Sequence, residues 1–268
     1  MAKFTVFGST GLIGGALVRN LEARGHEVHT PQIRTQSIPI EDLGNVIYCI
    51  GVTTDFLSKI DSLVSSHVEL ASKILKNSSF ESFLYISSTR IYEKSFITKE
   101  TEDIAVSVVG LSNFYNLTKM LGESLVLNQS NNRGRIARLS YVVDDLQLSG
   151  TDPVSSVMSQ KSGQSVHLSH HSESQKDFIL LSEAVDVLIN IALHGRNQIY
   201  NVASGKNISF TRIKSLAKQY LNVDVELDDD QQVRVNPLID VEVIRREFNF
   251  NLKEIEHYFK EKGTSIHV

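Results

Sequence analysis

Short apolar runs alternate with longer stretches of helical spacing through the first half of this chain. "KFTVFG", "NVIYCIG" and "SFLYISS" read as buried strands, with "HEVHT" a short one among them. Leu12 to Arg24, "SLVSSHVELASKIL" and "NFYNLTKMLGESLVLNQ" carry apolar residues at the spacing of helices, and "GRIARLS" closes the series as another strand. Strands that alternate with helices predict a parallel, doubly wound α/β sheet covered on both faces.

The second half is more mixed. A helix is expected near Pro153 to Gln160, then the strand "KDFILL" and a helix through "EAVDVLINIAL". "QIYNVAS" reads as a strand, and "FTRIKSLAKQYL" and "IDVEVIRREF" as helices. No low-complexity linker separates the halves and nothing repeats, so the later part is expected to be a small lobe on the main sheet. The segment between Thr30 and Asn45 is too short for a full strand–helix–strand crossover and can hold only a remnant of one.

Composition narrows the class. The chain has 268 residues, 41% hydrophobic and 22% charged, with a formal net charge of −4. That is enough apolar material for a large core and gives no basic patch of the kind nucleic-acid binding needs. Cys49 is the sole cysteine, which rules out an intrachain disulfide or a cysteine zinc cage. No apolar run approaches the roughly 18 residues of a membrane span, and the N-terminal residues run into a strand rather than a signal peptide. A soluble cytoplasmic protein is the expectation.

Two stretches carry chemistry. In "GSTGLIGG", Gly8, Gly11 and Gly14 recur every three residues between a strand and a helix. Glycines there let the backbone turn tightly and approach a pyrophosphate, whose charge faces the helix N-terminus. The same glycines would also serve a plain strand–helix turn. In "FYNLTKMLGE", Tyr115 and Lys119 stand four apart and share one helix face. An ammonium beside a phenol favours the phenolate, so the tyrosine can pass a proton to or from a carbonyl or carbinol oxygen. A chance pair on a surface helix is the alternative.

The order of "GSTGLIG", "YISSTRIY", "YNLTK" followed by "GE", "RIARLS", "KDFILLSEAVDVL" and "YNVASG" resembles the extended short-chain dehydrogenase/reductase family, in particular its nucleotide-sugar epimerases, dehydratases and reductases. The resemblance implies a Rossmann-like fold. Residues 1–150 then form the dinucleotide-binding domain, with later segments returning to its sheet, and 151–268 mainly a dependent substrate-binding lobe. It implies Ser88 as a hydrogen-bond donor to the substrate oxygen, Tyr115 as acid/base, and Lys119 as the residue that holds the nicotinamide ribose and tunes the tyrosine. The cofactor would be held by Gly8, Thr10, Gly11, Leu12, Ile13, Gly14, Arg34 and Gly51 besides Tyr115 and Lys119. The substrate would meet Ser88, Thr89, Arg90, Tyr141 and Lys176.

Departures from the family pattern discriminate among its reactions. The resemblance places the Thr-Asp-Glu of the 4,6-dehydratases where this chain has Ser88-Thr89-Arg90, so the acid/base pair for elimination is missing. The epimerase-reductases of GDP-fucose synthesis have a cysteine at Arg90, and a guanidinium does not titrate near neutrality. What remains is NADPH-dependent reduction of a 4-keto sugar, or C4 epimerisation with retained NAD. A non-catalytic NAD(P)-binding sensor or scaffold is the reading of another class. "VHTPQIR" has no acid for the adenosine ribose, which removes the penalty on a 2′-phosphate and favours NADP(H) over NAD(H); Arg34 stands within reach of that phosphate, and a solvated loop arginine is its alternative reading. Tyr141 replaces an asparagine of the family, and Lys176 an arginine that grips the diphosphate, keeping charge without the bidentate fork. His167, His170 and His171 lack a compact ligand framework, so no metal is expected, and Asp228 to Asp230 read as a solvated turn. The helices around Ser62–Lys76 and Asn113–Gln129 carry apolar positions on more than one face, and the family pairs them in a homodimer.

Overall fold

The computed structural model describes residues 1–32, 42–52, 58–146, 152–250 and 252–266. The chain lays down β1 (Lys3–Phe7), β2 (Glu27–His29), β3 (Asn45–Tyr48), β4 (Ser82–Ser88) and β5 (Gly134–Leu139) in one sheet. It leaves for β6 (Tyr141–Val143), β7 (Ser165–Leu168) and β8 (Gln175–Leu180), and returns as β9 (Ile199–Val202). β10 (Asn207–Ser209) and β11 (Asp224–Leu227) complete two small sheets, β10-β8-β6 and β11-β7. The main sheet runs β2-β1-β3-β4-β5-β9, parallel throughout, which is the doubly wound fold the alternation predicts.

Strand alternation builds the core on both faces. Phe4 and Val6 of β1, with Leu84 and Ile86 of β4, pack against α1 (Leu12–Ala23). Phe7, Phe83 and Tyr85 point the other way, toward the helical stretch 60–77. That stretch comprises α2 (Ile60–Val64), a π-helical turn at Ser65–Glu69 and α3 (Leu70–Asn77). α4 (Leu111–Gln129) lies beside it and supplies Val126 to the same layer. A third cluster fills the lobe, where α5 (Pro153–Met158) brings Val154 and Val157 against Phe178 and Leu180 of β8. Ile179 between them faces the main core, beside Leu188 and Ile191 of α6 (Leu181–His194), so one strand ties lobe to body.

Three expectations shift. The "SLVSSHVELASKIL" helix is not regular but holds the π-helical turn, and "IDVEVIRREF" becomes helical only from Glu242, as α8 (Glu242–Phe248). "FTRIKSLAKQYL" forms α7 (Phe210–Leu216) and then a second π-helical turn. α9 (Ile255–Ile266) was not foreseen, nor were the short strands of the lobe. Among the described residues no helix is long and apolar enough to cross a membrane.

Candidate active site

Between β1 and β3 the strand order reverses, and an open α/β sheet has its crevice at such a point, outside the carboxyl ends of the strands. A cleft of about 510 Å³ occupies that place, lined by the glycine loop, the ends of β3, β4 and β5, one face of α4, and Lys176, Arg234 and Asn236 from the lobe.

The glycine loop fits a pyrophosphate for reasons visible in its backbone. Gly8 has φ +87°, open to glycine at little cost, and a Cβ there would come within 3.0 Å of the Cys49 carbonyl carbon. A Cβ on Gly14 would lie 2.2 Å from the Gly8 carbonyl oxygen, so α1 starts in direct contact with the loop only because Gly14 lacks a side chain. α1 has no side-chain cap and no acidic residue in its first turn. The amide groups at its start are left for an anion from outside.

On the opposite wall α4 buries Tyr115 and Lys119 on the face that also carries Asn116, Thr118 and Gly122. The Lys119 ammonium donates to the Ile86 carbonyl at 2.9 Å and lies 5.1 Å over the Tyr85 ring. Burial pushes it down to about 8, against the pull of Glu123 and Cys49. Burial raises the Tyr115 phenol, and the Arg90 guanidinium, then the Ser88 hydroxyl, draw it back. The Arg90 Cζ lies 5.8 Å from the centre of the Tyr115 ring. Ser88 ends β4 and accepts a hydrogen bond from the Arg90 amide at 3.2 Å, which caps the short turn Thr89–Tyr92.

The lobe side is cationic. Lys176 lies 4.7 Å over the Tyr141 ring and within 3.2 Å of His170 Nε2, and is pushed down to about 8 by burial and by Arg234 and Arg90. His170 stacks on Phe210 at 4.2 Å, and burial with the neighbouring cations lowers it to about 4. A neutral His170 can then accept from the Lys176 ammonium. Of the carboxylates in the cleft, Asp177 is taken up by the amides of Ser204, Gly205 and Lys206 at 2.9, 2.7 and 3.0 Å. Asp152 caps α5.

Gly11, Leu12, Ile13, Gly14, Gly51, Ser88, Thr89, Arg90, Tyr115, Lys119, Tyr141 and Lys176 all line this one cleft. Gly8 shapes the loop from beneath, Thr10 is exposed beside it, and Arg34 lies outside the described residues. His167 is exposed on β7, and His171 sits 3.8 Å from Asp229 at the lobe surface.

Two participants were missed. Arg234 reaches the cleft because its segment is held along β8, with the Gln175 amide donating to the Arg234 carbonyl at 2.9 Å and the Asn236 amide to Gln175 at 3.1 Å. The alternation of Val233 and Val235 with Arg234 and Asn236 was the available signal. His67 is fully buried in the π-helical turn, with its ring edge-on to Tyr115 at 5.4 Å and Nδ1 2.9 Å from the Thr118 hydroxyl. The Thr118 hydroxyl itself donates to the Tyr115 carbonyl, so Nδ1 carries the imidazole proton. Burial and Lys119 keep the ring neutral, with its pKa lowered to about 2.

The model of the NAD dependent epimerase/dehydratase family matches residues 46–203. No curated protein matches the chain in sequence. Among solved structures, MoeE5 in complex with UDP-glucose and NAD is similar with a TM-score of 0.75 at 14% identity, over 99% of this chain and 98% of that one. UDP-glucuronic acid 4-epimerase from Bacillus cereus, in complex with UDP-glucuronic acid and NAD, gives 0.73 at 12% identity over 99% of each. RMD from Pseudomonas aeruginosa, complexed with NADPH, gives 0.69 at 18% identity over 99% of this chain and 100% of that one. At such identities the likeness is one of fold.

Proposed function

The chain belongs to the NAD dependent epimerase/dehydratase family, and from that premise we propose that it reduces a 4-keto group of a nucleotide-diphosphate sugar with NADPH. The observation that carries this reading is the meeting of Ser88, Tyr115 and Lys119 in one cleft, with the glycine loop at one end and Lys176 and Arg234 at the other. A bound nicotinamide would supply the hydride. The chain's own residues supply everything else. Ser88 and Tyr115 hold the substrate oxygen, Tyr115 gives it a proton, and Lys119 holds the ribose hydroxyls. The start of α1 faces the pyrophosphate. Lys176 and Arg234 face the sugar-side diphosphate, the first as a point charge and the second able to make a fork.

Reduction is favoured over elimination because the turn after β4 offers Thr89 and Arg90 in place of two carboxylates. NADP(H) is favoured because β2 ends at His29 and is followed by Thr30, Pro31 and Gln32, none of them an acid that would repel a 2′-phosphate. The second reading is a C4 epimerase that retains NAD, for which the fold likeness to the Bacillus cereus 4-epimerase with NAD speaks. We also propose that the chain acts as a homodimer, and take up that point below.

Incubation with NADPH or NADH and a panel of nucleotide-linked 4-keto sugars tests the reading, followed through loss of the reduced-nicotinamide absorbance. Stoichiometric consumption of NADPH is expected. Interconversion of 4-hydroxy epimers without net cofactor consumption would replace the reductase by the epimerase. Calorimetric titration of both cofactors tests the preference, and tighter NAD(H) would overturn it.

A further inference from the structure

Lys176 reaches the cleft from β8, and the acids near it are committed elsewhere. Asp177 accepts from three backbone amides, Asp152 caps α5, and Asp229 accepts from the Ser172 amide at 2.9 Å. Three rings hold the ammonium instead. It lies 4.7 Å from the centre of the Tyr141 ring, 5.7 Å from that of Phe210, and 3.2 Å from His170 Nε2.

His170 is itself fixed in place. Its ring stacks on Phe210 with the planes 19° apart. Its amide donates to the Leu168 carbonyl at 2.7 Å, and the Asp228 amide donates to its carbonyl at 3.1 Å, which ties it to the ends of β7 and β11. Burial and the neighbouring cations keep the imidazole uncharged, with its pKa lowered to about 4. Nε2 then offers a lone pair to the ammonium, and Nδ1 carries the proton. Nδ1 is buried and finds no acceptor among the described residues. A ring kept there for packing alone would do better as phenylalanine, which has no N–H to leave unpaired.

A lysine that meets a diphosphate has two conflicting needs. Its flexible stem must be held, yet a carboxylate that held it would also cancel its charge. A neutral acceptor does the first without the second. We propose that His170 is a positioning residue, which orients Lys176 toward the anionic end of the substrate while leaving its positive charge uncompensated. One of the three ammonium N–H donors is taken by Nε2, and two remain for phosphate oxygens. The role rests on the reading that Lys176 faces the sugar-side diphosphate. An arginine would bring a pre-organised fork to that place, whereas a lysine needs a holder from outside.

The test uses the protein saturated with the nicotinamide dinucleotide it binds more tightly, so that the glycine-loop end is closed to other diphosphates. UDP, GDP, dTDP and CDP are titrated by calorimetry, and the tightest binder is kept as the probe. Lys176→Met should weaken it about tenfold or more, and so should His170→Phe, which keeps the stack on Phe210 but loses the lone pair. His170→Gln should recover most of the affinity, because its side-chain carbonyl stands as many bonds from the backbone as Nε2. His170→Glu has the same reach but pairs with Lys176, and should bind no better than His170→Phe. In the Lys176→Met background His170→Phe should have no further effect. With a substrate that turns over, His170→Phe should raise KM and leave kcat near that of the wild type. Full affinity in His170→Phe beside an impaired Lys176→Met would overturn the role of His170 and leave the diphosphate reading standing. His170→Glu binding as tightly as His170→Gln would do the same, even if His170→Phe folds poorly. Full affinity in Lys176→Met, or no binding of any of the four nucleotides, would overturn that reading and this role with it.

Discussion

In the proposed reaction Tyr115 must give up a proton from a place where burial raises its phenol, so its neighbours decide whether it works. Tyr115→Phe keeps the ring against His67 and removes the proton. Turnover is expected to fall by about 10² to 10⁴, the usual share of general acid catalysis, with cofactor affinity nearly unchanged. Ser88→Ala should cost less, on the order of 10² to 10³, as one lost oxyanion donor does. Lys119→Met should lower both turnover and cofactor affinity, and steady-state kinetics with a cofactor titration would separate the three. His67 makes a different kind of prediction, about stability. Its folded pKa is lowered to about 2, whereas an unfolded histidine protonates near ~6.5. Between those values the unfolded chain binds more protons, so the contribution is whole above the unfolded value and is lost as pH falls. Acidification to about pH 5 should cost ~2 kcal/mol through this group alone. Urea unfolding of wild type and His67→Gln at neutral and acid pH measures it. The variant should start less stable but lose less on acidification, and equal losses would show that His67 is not the linked group.

At the scale of elements, the glycine loop and α1 form one unit, because the Gly14 Cβ position falls on the Gly8 carbonyl. Gly14→Ala must push α1 off the loop, since backbone on both sides cannot yield as a flexible side chain can. A loss of ~1 to 3 kcal/mol in stability is expected from such overpacking, together with weaker cofactor binding. Gly25→Ala serves as the control, for its Cβ would meet nothing within 4 Å and only its φ of +75° is strained. A Gly14→Ala chain that bound cofactor as tightly as wild type would show that the start of α1 does not hold the pyrophosphate. These elements were legible in the sequence because their signals are local. Glycine spacing, strand runs and the four-residue step from Tyr115 to Lys119 each reside in a single stretch. The π-helical turn was not legible, because tertiary partners define it. Tyr48 donates to the Ser66 carbonyl at 2.5 Å and Tyr85 to the His67 carbonyl at 3.0 Å, while Gly122 leaves room on α4. Arg234 was hidden for the same reason, brought in by pairing along β8 rather than by any motif of its own.

At the scale of the whole molecule, the question is what covers the outer side of the helices that frame the cleft. α4 turns Tyr115, Lys119, Gly122 and Val126 inward, and Phe114, Leu117, Leu121 and Leu125 follow one another along a less buried stripe. Leu121 is 52% exposed. On the adjoining stretch, Ile60, Val64 and Val68 form a second stripe at helical spacing, with Ile60 37% exposed. Two apolar stripes on neighbouring helices suit a two-fold partner, because each copy presents the same pair and four helices can then close a shared core. The inner face of α4 carries Tyr115 and Lys119, so pairing of this kind would stiffen the helix that holds them. Light scattering at micromolar concentration is expected to give the mass of a homodimer. Leu121→Glu places a charge in the middle of the stripe and should yield monomers, with lower cofactor affinity if dimer packing steadies Lys119. A wild-type monomer at that concentration would refute the dimer. A monomeric Leu121→Glu chain with undiminished cofactor affinity would keep the dimer and remove its link to the site.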